Sequence, residues 1–183
     1  TPASSAPQPI ATGARTTAAT ERGTEVETEW AVVDARNLIT SHDTMLRPNP
    51  EFPQELQPRD RTRPASELQI TRMVNTLRPE FLGESPKASE GAPIVGPDMI
   101  VESGNARTIA LKRAYEQNAP AAERYREFLV QNAQRFGLDP ATIQQAEQPV
   151  LVRIRRSDVD RRQFVVEANE GSVASMSATE QAR

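Results

Sequence analysis

The stretch Met99-Ile100-Val101-Glu102-Ser103-Gly104-Asn105-Ala106-Arg107-Thr108-Ile109-Ala110-Leu111-Lys112-Arg113-Ala114-Tyr115 decides how the chain is read. Its first four residues are β-prone, and from Asn105 to about Gln117 a helix is expected, with Ile109, Ala110, Ala114 and the Tyr115 ring available to a core. Ser103-Gly104 is the junction. A strand that runs directly into a helix exposes the first helical N–H groups and a partial positive charge, an arrangement suited to anions and above all to phosphate. Gly104 lets the backbone bend sharply and approach a ligand closely. Arg107, in the first helical turn, is near enough to add a bidentate contact to the same anion. Ser103 either caps the helix or donates its hydroxyl to phosphate. One glycine is a weak phosphate loop beside a Walker motif, and such turns also use glycine for geometry alone.

Working outward, Pro93-Ile94-Val95 and Met99 to Glu102 flank Gly96-Pro97-Asp98, a strong turn signal, and predict a hairpin. Downstream, a helix is expected from Pro120 to Gly137, using Tyr125, Phe128, Leu129 and Phe136. Asp139-Pro140 opens a short helix to about Ala146, Val150 to Ile154 reads as a strand, and Ser157 with Asp160 starts a helix carrying Val159, Phe164 and Val166. Upstream, Trp30 to Asp34 is the expected first strand, with Trp30 a core anchor. Residues 40–65 are rich in Pro, Arg and Asp, so an extended loop is expected there. Ser66 and Gln69 form a capping pair for a helix to Leu77 that turns Leu68, Met73, Val74 and Leu77 to one face. The order β, loop, α, ββ, ααα, β, α indicates an α+β fold, a small mixed sheet packed with several helices.

Residues 1–24 are mostly Ala, Thr, Pro, Ser and Gly, with Ile10 the one large aliphatic side chain. Residues 1–26 are therefore expected to form a disordered linker, with the domain over 27–183. Ser177-Ala178-Thr179-Glu180 has capping-box spacing, so a truncated C-terminal helix is expected, as in a fragment of a larger protein.

Composition narrows the chemistry. The 22 basic and 25 acidic residues of the 183 leave a formal charge of −3, which excludes a strongly basic nucleic-acid condenser. Without cysteine there is no disulfide, thiolate metal site or cysteine nucleophile, and the single histidine, His42, is expected at the surface. No apolar run approaches the roughly 20 residues of a membrane span. Only Lys87 and Lys112 are lysines; the remaining cations are arginines, whose planar fork suits phosphate, although a GC-rich genome also favours arginine codons.

Several segments, in order, resemble the ParB/sulfiredoxin superfamily, most closely the DdrB-like ParB domains of phage, plasmid and other mobile-element proteins. Gln57-Pro58-Arg59 resembles the QPR element, and Ala92-Pro93-Ile94-Val95 resembles the PIVV strand. Ser103 to Ala110 resembles the GERRxxA phosphate box, in a form nearer SGNGR. Glu167-Ala168-Asn169-Glu170, with Ala178 to Ala182, resembles the ENxxR and NPxEEA stretch. The resemblance implies a ParB/sulfiredoxin-like fold, nucleotide or DNA binding, a nucleoside triphosphate (CTP or ATP) with Mg²⁺, a homodimer, neighbouring domains of a parent polypeptide, and a bacterial cytoplasmic or phage-associated location. It implies a phosphate site of Ser103, Gly104, Asn105, Arg107 and Thr108, assisted by Arg59 and closed by Glu167 or Asn169. Where sulfiredoxins carry the catalytic cysteine this chain has Asn105, which excludes sulfinic-acid reduction. Asn105 and Ala106 also replace the first two charged positions of the ParB box.

Two further constellations bear on function. Arg153, Arg155 and Arg156, with Arg161 and Arg162, form a basic cluster that either meets a nucleic-acid backbone or is a solvated edge paired to Asp158 and Asp160. Arg59, Arg61 and Arg63 form another in the proline-rich loop. For a metal-dependent DNase or NTPase, Glu102 and Glu167, with Glu170, are the candidate carboxylates. The remaining reading is a docking module whose pocket has lost its chemistry.

Overall fold

The computed structural model describes residues 8–56 and 63–169. Strands β1 (Ala11–Ala19), β2 (Glu25–Asp34), β3 (Ile94–Val95), β4 (Val101–Ser103) and β5 (Pro149–Arg155) make one mixed sheet in the order β1-β2-β5-β3-β4. β3 and β5 are parallel and the other neighbours antiparallel. Helices α1 (Arg63–Asn75), α2 (Asn105–Glu116), α3 (Pro120–Asn132) and α4 (Pro140–Gln145) are followed by α5 over 161–169. The fold is α+β, as expected. Among the described residues no helix is long and apolar enough to cross a membrane.

β5 is the middle strand, and Pro149 to Ile154 are all buried, so it reads as a continuous apolar run broken by one charge, Arg153. The main core joins Val32, Leu151 and Val152 of the sheet to Leu111, Tyr125, Leu129 and Ile143 of the helices. Trp30 packs against Phe136 with ring centroids 4.6 Å apart. α1 lies on α2 through Ile70 and Val74 against Ile109 and Ala114. α5 sets Phe164 and Ala168 into a separate cluster with Ala18, Val26 and Ile94. The expected helix ends hold: the Asp139 side chain caps α4 by accepting the Ala141 N–H, and Gly137 closes the 3₁₀ turn after α3 in the left-handed region.

Three expectations are corrected. The linker assigned to residues 1–26 is occupied by β1, the nine-residue edge strand; residues 1–7 lie outside the described residues. Its stability comes from backbone pairing to β2 rather than from large side chains, with β-branched Thr12, Thr16 and Thr17 suited to a pleated surface. Gly23, at φ 94°, supplies the left-handed residue that closes the β1–β2 turn. Second, α1 starts at Arg63, because Pro64 is tolerated in a first helical turn where its missing N–H needs no partner. Third, Leu68 and Val166 point outward, 52% and 55% exposed, while their neighbours Ile70 and Val165 are buried.

Trp30→Ala is therefore expected to cost about 3–5 kcal/mol in urea unfolding, and Leu68→Ala no more than about 0.5 kcal/mol. Comparable losses at the two positions would contradict this packing.

Candidate functional site

β4 ends at Ser103 and α2 begins at Asn105, with Gly104 as N-cap at φ 95° and ψ 31°. That left-handed geometry disfavours any side chain, and a Cβ there would also lie 2.8 Å from Arg107 Nη2. Most of the neighbouring side chains serve the turn itself. Ser103 Oγ donates to the Ala88 carbonyl at 2.7 Å, so it neither caps α2 nor faces a ligand. Thr108 Oγ1 donates to the Gly104 carbonyl at 2.8 Å. Asn105 Oδ1 accepts the Ser41 N–H at 2.7 Å and ties the loop after β2 to the turn. No side chain caps α2, so the amides of Asn105, Ala106 and Arg107 have no partner within the helix.

Arg107 curls back over Gly104. Its Nη1 donates to the Ser89 carbonyl at 3.0 Å, while Nε and Nη2 are buried and make no hydrogen bond. Burial pushes its pKa down to about 10, with the Glu90 charge acting in the opposite sense, so the group remains cationic at neutral pH. A cavity of about 300 Å³ reaches Arg107 between α1, α2 and residues 78–82, walled by Met73, Leu77, Phe81, Leu82 and Ala110. Phe81 is 66% exposed, with the Arg78 guanidinium 5.4 Å from its ring centre. This wall was not anticipated from the sequence; its signal was Phe81-Leu82 held between Pro79 and Gly83.

Asn169 does reach the turn. Its Nδ2 donates to the carbonyls of Glu102, at 3.2 Å, and Val165, at 2.6 Å, setting the end of α5 beside β4. Arg59, Arg61 and Glu170, and the Ser177–Glu180 capping box, lie outside the described residues.

The candidate carboxylates are not gathered. Glu102 is fully buried, with both oxygens held: Arg155 grips it bidentately at 2.8 and 2.9 Å, and Arg161 Nε adds a bond at 2.7 Å. Arg161 also holds Asp98 at 2.6 and 2.9 Å. Burial acts to raise the Asp98 pKa, but the Arg161 hydrogen bonds and charge outweigh it and hold the carboxyl low. Glu167, on α5, faces the β1–β2 turn instead: it accepts Thr24 Oγ1 at 2.6 Å and Thr20 Oγ1 at 3.0 Å from that turn, and Gln163 Nε2 of its own helix at 2.8 Å. These bonds, that of Thr24 foremost, hold its carboxyl below the usual range. Among the described residues no three His, Asp or Glu side chains cluster as a metal site.

The basic cluster is also committed inward. Arg153 is fully buried, its donors taken by the carbonyls of Ser85, Lys87, Glu90 and Ala92, so the backbone-contact reading fails for it. Arg155 serves Glu102 and the Ser157 carbonyl, and Arg156 pairs with Glu29 at 2.7 Å. The partners are Glu102 and Glu29 rather than the expected Asp158 and Asp160, because β5 lies between β2 and β3. His42 is half-buried rather than at the surface, its Nδ1 3.0 Å from Ser41 Oγ.

Two outcomes are expected. Glu102→Gln removes the charge facing two guanidinium groups in a buried site and should destabilise the protein by about 3–5 kcal/mol in urea unfolding; a neutral effect would contradict the ion-pair hub. Glu167 and Asp98 have lowered folded-state pKa values, so their contribution is present above the ordinary carboxylate value of about 4 and is lost as pH falls below it. Thermal unfolding followed from pH 7 to 3 should therefore show a smaller decline for Glu167→Gln than for the wild type.

The sequence profile of the ddrB-like ParB superfamily domain matches residues 21–156, spanning β2 to β5 and the whole β4–α2 turn. No curated protein and no solved structure matches the chain. With well over half its length matched, and the sheet, the turn and Arg107 inside that match, the chain belongs to the ddrB-like ParB superfamily domain.

Proposed function

We propose that this domain binds a phosphate-bearing ligand, a nucleotide or a nucleic-acid phosphate, at the turn from Gly104 to Arg107. The observation that carries the reading is the state of Arg107: a buried guanidinium curled over the uncapped N-terminus of α2, with Nε and Nη2 unpartnered. Unsatisfied buried donors on a charged group are costly, and an anion at this point would satisfy them together with the helix amides. Membership of the ParB-like superfamily supports the same class of ligand. A triphosphate such as CTP or ATP would bring Mg²⁺ with it.

Hydrolysis or strand cleavage gains no support from the carboxylates, since Glu102 is consumed by Arg155 and Arg161 and Glu167 by Thr20 and Thr24. The reading is therefore binding, with DNA contact or dimer formation following from it.

Calorimetry at low salt with CTP, ATP (each with Mg²⁺) and a short DNA duplex tests the proposal. At least one should bind, and Arg107→Ala should weaken it about 10- to 100-fold, the scale of about 1.5–3 kcal/mol for hydrogen bonds to a charged group. Saturation at 100 times Kd should also stabilise the fold by about 2.7 kcal/mol. Absence of binding by all three, or binding unchanged in Arg107→Ala, overturns it.

A further inference from the structure

Arg107 and its neighbour in space, Arg153, meet the same segment, residues 84–92, from two sides. Arg153 Nε donates to the Ala92 carbonyl at 2.9 Å; Nη1 donates to Ser85 at 2.9 Å and Lys87 at 3.4 Å; Nη2 donates to Ala92 at 2.6 Å and to Glu90. Five bonds thus match the five donors of a guanidinium, and the acceptors are all backbone. The segment they gather returns two contacts to the anion turn. The Ser89 carbonyl accepts Arg107 Nη1, and the Ala88 carbonyl accepts Ser103 Oγ. Ser89 and Ala88 lie between Lys87 and Glu90, which Arg153 holds.

We infer that Arg153 is a positioning residue for the anion site: acting through the backbone of residues 85–92, it holds the Arg107 guanidinium beside Gly104. The inference rests on the phosphate reading for its purpose, but the positioning itself is a property of the unliganded protein. No other described side chain reaches as many of these carbonyls. A lysine at 153 would keep the positive charge yet offer three donors from one point, too few and too close together to span Ser85, Glu90 and Ala92.

Two readouts separate the inference from the proposed function. In the free protein, the NMR signal of Arg107 Nε–H and amide hydrogen exchange over residues 85–92 report the positioning directly. With ligand, calorimetry of inorganic triphosphate reports its consequence. Arg153→Met and Arg153→Lys are compared with Ile143→Ala, a fully buried position on α4, which packs on α3 and the 3₁₀ turn that follows it. Both Arg153 variants should lose the Arg107 Nε–H signal and exchange at least tenfold faster over residues 85–92. They should also bind triphosphate at least tenfold more weakly, whereas Ile143→Ala should keep the signal and the affinity. If Arg153→Met does not fold, Arg153→Lys decides alone. Retention of the Arg107 signal and of protection in the folded variants overturns the inference whether or not triphosphate binds. Failure of triphosphate to bind the wild type while the signal still depends on Arg153 sinks the phosphate reading and leaves the positioning intact.

Discussion

A guanidinium buried in the middle strand of the sheet is the constraint around which this fold is arranged. Transferring a charge out of water costs several kcal/mol even after relaxation, so Arg153 is tolerable only where its donors are met in full. Among the described residues no carboxylate bonds to it. Burial pushes its pKa down to about 9, with the neighbouring Arg107 charge adding to the effect. The chain answers with carbonyls from Ser85, Lys87, Glu90 and Ala92, and the same segment is tied by its backbone to Ala19 at the end of β1. Within that segment Ala88 is buried and its carbonyl accepts Ser103 Oγ.

The second charged centre closes the other side. Glu102, Arg155, Arg161 and Asp98 balance in charge and join β4, β5, α5 and the β3–β4 turn. Asn169 adds a bond from α5 to the Glu102 carbonyl, one residue before Ser103. The last described helix is thus fastened at both ends to β4, the strand that leads into the Gly104 turn. A carboxylate locked in this way stabilises the sheet edge, and for that reason it is poorly placed to ligate a metal or move a proton.

Much of this architecture was legible in the residue order. The hairpin, the start of α2 at Asn105, the Pro120 and Asp139-Pro140 helix starts and the strand at Val150 all rest on local chemistry (turn residues, caps, β-branched runs) that does not depend on what lies across the core. β1 was not legible, because Ala, Thr and Gly form a strand only when a partner ladder exists, and that ladder is a property of β2. The arginines were misread for a related reason. Spacing places Arg153 and Arg155 on a strand, but whether a guanidinium meets solvent, a carboxylate or a set of carbonyls depends on which strands flank it. Leu68 failed more simply: it and Ile70 compete for the core from adjacent parts of one short helix, and tertiary contact, not period, chose Ile70.

The contrast between the two buried arginines bears most directly on function. Arg153 has every donor satisfied, while Arg107, carried at the mouth of α2 a short distance away, has one bond to Ser89 and two buried nitrogens with nothing. Burial depresses the pKa of both, so what separates them is how many donors are met. Ser103, Thr108 and Asn105 cannot complete Arg107, since each is already spent on Ala88, Gly104 or Ser41. What remains at the turn is a buried guanidinium with two unmet donors and the uncapped first-turn amides of α2, donors whose geometry does not depend on the side chains at 105 and 106. The replacement of charged motif residues by Asn105 and Ala106 therefore takes side-chain charge from the turn while leaving these donors, on which the proposed anion binding rests, in place.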